Sequence, residues 1–116
     1  MIVITSSEIV GKEISATLGM VRGTTVRARH IGKDILAIMR NIVGGEVVEY
    51  TKILAEAREQ ALDRMINEAN LLHADAIVSV RFSTSNIATG AAEILVYGTA
   101  VKIEDISKQF PQKNPE

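Results

Sequence analysis

The sequence predicts an α+β domain, and three observations carry that prediction. Strand-type patterns stand at both ends of the chain, with helical periodicity between them. The stretch from Glu46 to Leu72 keeps one apolar face throughout. Hydrophobic residues make up 47% of the chain and aromatics only 3%, so the core has to be aliphatic.

Taken in order, Met1 to Thr5 reads as a short apolar strand and Thr5-Ser6-Ser7-Glu8 as a turn. Ile14 to Arg29, rich in Thr and Val, reads as a long strand or a bent pair. Leu18, Met20, Val26 and Ala28 share one of its faces, and Gly23 marks a bend, a bulge or a tight hairpin. Ile35, Ile38, Met39 and Ile42 recur at i, i+3, i+4 and i+7, which predicts a short amphipathic helix. Asp34 stands near its cap and Gly44-Gly45 ends it.

The long helix follows from Glu46 to Leu72. Val47, Leu54, Ala57, Ala61, Leu62, Met65, Ala69 and Leu72 fall within an arc of roughly 140° on a helical wheel. Beyond Ala74-Asp75, residues Ala76, Val78, Val80 and Phe82 alternate with Ile77, Ser79, Arg81 and Ser83 as in a strand. Asn86 to Gly90 reads as a polar hairpin loop. The last strand, Ile94 to Ile103, is apolar on both faces: Ile94, Val96 and Ala100 on one, Leu95, Val101 and Ile103 on the other. Residues 1–104 form one domain and 105–116 a flexible tail.

One helical layer covers one face of a sheet. A strand apolar on both faces needs a second cover, and for so small a chain that cover is another copy of itself. The pattern alone therefore predicts a homo-oligomer.

Composition excludes several function classes. There is no cysteine, so disulfide and thiolate chemistry are out. A net charge of −1 gives no electrostatic footprint for nucleic acid. No apolar run approaches the roughly 20 residues of a membrane helix. The N-terminus lacks a signal-peptide pattern, so a cytoplasmic location is expected. No nucleophile–base pattern, carboxylate dyad or dinucleotide fingerprint is present, which leaves an enzyme unsupported and calls for no cofactor.

The candidate ligand-binding residues are Arg29, His30, Asp34, Glu46 and Arg58. Arg58 falls inside the apolar arc, between Leu54 and Leu62, where a charge is costly unless paired. Asp34, Glu46 and Asp75 are its candidate partners. The bland alternative is an Arg58 that snorkels or makes a structural ion pair. Arg29-His30 beside Asp34 offers acid–base groups, although neighbours on a strand point to opposite faces. Gly44-Gly45-Glu46 looks like a phosphate nest but lacks the Lys and Ser/Thr of a P-loop, and Glu46 repels anions. No metal site is assigned. Two separated histidines, His30 and His73, make no ligand set, and the methionines Met1, Met20, Met39 and Met65 occupy core-like positions.

Several motifs in order resemble the YbjQ-like family: Gly19-Met20-Val21-Arg22-Gly23, Arg29-His30-Ile31-Gly32-Lys33-Asp34, Gly44-Gly45-Glu46-Val47-Val48-Glu49-Tyr50-Thr51, Ala57-Arg58-Glu59-Gln60-Ala61, Ala74-Asp75-Ala76-Ile77-Val78 and Tyr97-Gly98-Thr99-Ala100-Val101. The resemblance implies a dodecin-like subunit that assembles into a homopentameric ring, and a name that refers to heavy-metal binding. Two departures stand out. His73 occupies a position where the family usually has Gly, and Thr5 to Gly11 lacks the family's usual proline before Gly. The leading expectation is a ring whose subunit junctions or pore hold a small molecule. A metal-binding protein and an enzyme at the junctions are the alternatives.

Overall fold

The computed structural model describes residues 1–28 and 46–106. Its elements are β1 (Ile2–Val3), β2 (Lys12–Ala28), α1 (Glu46–Leu71), β3 (Ala76–Ala88) and β4 (Ala91–Asp105). The four strands form one sheet in the order β1-β3-β4-β2. β1 runs parallel to β3, while β4 is antiparallel to both its neighbours. The architecture is the expected α+β type, antiparallel-rich with a long helix on one face. The predicted short helix with its Asp34 cap lies outside the described residues. β4 runs through Asp105, whose carboxylate pairs with Lys12, so the strand passes the predicted domain end by one residue. The tail from residue 107 lies outside the described residues.

The helix packs along β2 and β4 through small residues. Ala57, Ala61, Met65 and Ala69 are fully buried at four-residue spacing, against Val21, Ile94, Val96 and Ala100. Gly23 lies directly beneath the helix backbone, and no register shift occurs there. The strand is therefore continuous through Gly23, contrary to the predicted bend, bulge or hairpin. The glycine is needed because the helix comes too close for any side chain. The buried Thr25 hydroxyl donates to the Ala57 carbonyl at 2.9 Å, and Arg27 donates to Gln60 Oε1 at 2.6 Å. Arg64 reaches over β2 to the Thr24 carbonyl.

Bulges redistribute side chains that strict alternation would place otherwise. In β2 the register shifts between Ile14 and Ala16 and again between Thr17 and Gly19. Leu18 thereby packs on the helix side, whereas Met20 points to the other face and is 64% exposed. The two do not share a face as the sequence suggested. In β3 the register shifts between Val78 and Arg81, at Ser79, whose φ is +55°. Ile77 and Val80 therefore both face the helix, while Ala76 and Val78 face away. The predicted split of Ala76, Val78, Val80 and Phe82 from Ile77 breaks at this bulge. The β3–β4 loop is also tighter than predicted, with Ala88 pairing with Ala91 across Thr89-Gly90.

Among the described residues, the side of the sheet away from α1 is only half covered. Ala76, Val78 and Val101 form a second buried cluster there, closed by Ile4, Ile9 and Ile103. The chain's own N-terminal segment, not another copy, covers Val101.

Two tight turns are built on residues with positive φ, at His73 and Gly11. His73 adopts φ +59°, its N–H donates to the Asn70 carbonyl, and the Ala74 N–H donates to the Ala69 carbonyl. This pairing ends α1 with a left-handed residue, the place that glycine usually takes. At Ile9-Val10-Gly11-Lys12, Gly11 has φ +80° and the Lys12 N–H donates to the Ile9 carbonyl at 3.0 Å. This is a type II turn with Val10 at the position where proline is favoured.

Candidate functional site

The structure places two of the five sequence-derived candidates. Arg29, His30 and Asp34 lie outside the described residues. Glu46 is the first residue of α1. Arg58 is exposed, at a shallow surface depression it shares with Arg27, Lys52, Glu56, Glu59 and Asp63. The expectation that Arg58 is a charge within the buried arc is corrected. The fully buried positions climb the helix in four-residue steps, so the buried stripe drifts by about 40° per step, and at its Ala57 end Arg58 stands about 100° to the side. Asp75 is not its partner either. That carboxylate accepts the Ile103 N–H at 3.0 Å and lies 3.8 Å from Lys102 Nζ.

Metal-ligand chemistry finds little support in this part of the chain. Among the described residues no three His, Cys, Asp or Glu side chains come together. His73 is exposed at the helix exit. Of the methionines read as core-like, Met65 is fully buried, but Met1 is 48% exposed and Met20 64%. No described helix is long and apolar enough to cross a membrane.

The distinctive surface is the far half of the sheet on the face that α1 does not cover. Three strands contribute to it in register. Met20 stands beside Thr99, Arg22 beside Tyr97, Thr24 beside Leu95 and Val26 beside Glu93. On the other side of β4, Arg81 stands beside Tyr97, Ser83 beside Leu95 and Ser85 beside Glu93. Alternation fixes the face: Val21, Ile94, Val96 and Ala100 turn to the helix, so the residues between them turn away. Met20, Val26 and Tyr97 are all substantially exposed and Leu95 is half-buried, which leaves an open apolar patch on the sheet. Arg81 donates through Nη1 to the carbonyls of Thr5 and Val80, which holds its side chain at the rim of the N-terminal segment. Sequence reasoning missed Arg22, Arg81, Glu93 and Tyr97 as a group. Only strand register brings them together, and the bulge at Ser79 sets that register.

Among the described residues the two sheet edges are also open. Backbone bonds from the N-terminal segment to the outer edge of β3 run as far as Val80. β2 is the opposite edge strand.

Comparison with known proteins agrees with the fold. A family model described as "Putative heavy-metal-binding", of the YbjQ type, matches residues 1–104. A UPF0145 protein of Methanosarcina acetivorans is 58% identical over 103 residues, covering 89% of this chain and 97% of that protein. One from Archaeoglobus fulgidus is also 58% identical over 103 residues, covering 88% and 95%. A crystal structure of a protein of unknown function from Pediococcus pentosaceus, assigned to the DUF74 family, superposes with a TM-score of 0.62 at 18% identity, covering 90% of this chain and 98% of that one. A match that spans both sheet edges, the helix and the open face makes this chain a member of the YbjQ-like family.

Proposed function

We propose that this protein is a cytoplasmic self-assembling module, a homopentameric ring whose subunit junctions hold a small ligand. The observation that carries self-assembly is the apolar sheet face left open among the described residues, with Met20, Val26, Leu95 and Tyr97 on it. A monomer rarely leaves such a patch in water. The open edges of β2 and β3 support a ring in particular. They are two different surfaces, and a contact between unlike surfaces closes into a ring of any order. The pentameric order follows the family resemblance.

Native mass spectrometry on the protein as purified tests the reading. The expected spectrum has subunits in multiples of five, with an organic adduct retained. A monomer at micromolar concentration overturns it. The second reading, metal binding, takes its support from the family description. Elemental analysis of the same sample separates the two, because a metal binder carries metal in fixed ratio to subunit.

A further inference from the structure

Among the described residues the open sheet face carries charges that make no ion pair: Arg22, Glu93 and Arg81, whose guanidinium bonds only carbonyl oxygens. Arg22 and Arg81 flank Tyr97 in one row across β2, β4 and β3. Glu93 stands on the same face of β4, four residues from Tyr97. Same-face rows are separated by about 6.8 Å, so Glu93 lies about 14 Å from the arginine row. Among the described residues neither guanidinium faces a carboxylate, and Glu93 has no cation. These are complementary charges on one face that cannot meet in one molecule.

Leu95 sits midway between the two rows, with Thr24 and Ser83 beside it. A two-fold axis through the Leu95 row, lying across the strands, exchanges the row above it with the row below. It sets each Glu93 over the Tyr97 of the facing copy, between that copy's Arg22 and Arg81. It also sets Leu95 against Leu95. Both ion-pair sets form at once, as a two-fold contact requires. The covered face is then about 10 Å from its twin, the usual spacing of packed sheets.

We infer that the occupant of this face is a second copy of the same chain, docked sheet to sheet about Leu95 and held in register by Glu93 between Arg22 and Arg81. The inference rests on the self-assembly reading and deepens it. A five-membered ring has no two-fold within itself, so this contact is separate from the ring contact and pairs one ring with another. The assembly it predicts has an even number of subunits.

The test is native mass spectrometry, with sedimentation as a second readout, on the wild type, Glu93→Arg, Arg22→Glu/Arg81→Glu and the triple variant that combines them. Circular dichroism checks that each variant keeps its fold, because Arg81→Glu also removes the bond to the Thr5 carbonyl. The wild type should contain an even number of subunits. Glu93→Arg and the double variant should each halve that number. The triple variant, with its charges exchanged, should restore it. Raised salt should favour the halved species in the wild type. An odd wild-type ring that the substitutions leave unchanged overturns this inference while leaving the ring reading intact. A wild-type monomer overturns both. A folded triple variant that stays halved overturns the charge register.

Discussion

A β-carbon on Gly23 would stand 1.9 Å from the carbonyl oxygen of Ala61 and 2.7 Å from the amide nitrogen of Met65. Both are backbone atoms in the middle of α1, so neither can swing aside. Gly23→Ala is expected to destabilise the fold by about 2–4 kcal/mol, because the helix must lift off Ala57, Ala61 and Met65 to admit one methyl group. Urea unfolding measures the loss. A change below about 0.5 kcal/mol would mean that the helix does not lie on β2 at this distance.

The type II turn at Val10-Gly11 offers a gain. Val10 is fully exposed and stands where the turn sets the φ of proline. Its N–H is not among the backbone donors of this loop. Val10→Pro is expected to add about 0.4–1 kcal/mol by restricting the unfolded chain. A lower midpoint in chemical denaturation would rule out this turn type.

At the other end of α1, His73 holds a left-handed conformation that disfavours side chains with a β-carbon. His73→Gly should raise stability by about 0.5–1 kcal/mol, and His73→Val should lower it. The same denaturation series checks both signs. Equal midpoints for Gly and Val would mean that residue 73 is not left-handed.

Leu95 and Val101 lie on the same face of β4 but have different covers. Val101 is closed over by Ile4, Ile9 and Ile103 of its own chain, whereas Leu95 is half-open. Val101→Asp should therefore unfold or severely weaken the subunit, by at least about 3 kcal/mol. Leu95→Asp should keep the fold, cost little in a monomer and reduce the assembled mass. Circular dichroism together with sedimentation distinguishes the two. Equal effects on both observables would remove the distinction between the covered and open halves.

Much of the fold was legible because periodicity survives tertiary context. The single apolar face of α1, the strands on either side of it and the two-sided character of β4 all follow from residue type and spacing. What was not legible turns on bulges. Nothing in Ala76 to Phe82 signals that Ser79 adopts a positive φ, yet that residue sends Ile77 and Val80 to one face and Val78 to the other. Leu18 and Met20 part company in the same way. Gly23 was singled out correctly as special, but for local bending and not for the helix lying on it, a cause that is remote in sequence. Arg58 looks buried on a wheel because a projection down the axis merges positions that the drifting Ala57–Ala61–Met65–Ala69 stripe meets only a turn or more later. The Arg22–Tyr97–Arg81 row is the work of three strands, and no window along the chain contains it.

The two-residue strand β1 has a consequence for motion. The amides of Ile4, Ser79 and Val80 bond only across the seam between the N-terminal segment and β3, at 3.0, 2.9 and 3.0 Å. Those bonds tie residues more than seventy positions apart in sequence, and few neighbours back them up. Hydrogen exchange at these amides should proceed through a local opening that leaves the helix and the β2–β4 ribbon protected. Each opening peels Ile4 and Ile9 from Val78 and Val101, joining that cluster to the open patch beside it. The widened apolar surface is then a transient one, and its exposure is timed by the fraying of the first few residues.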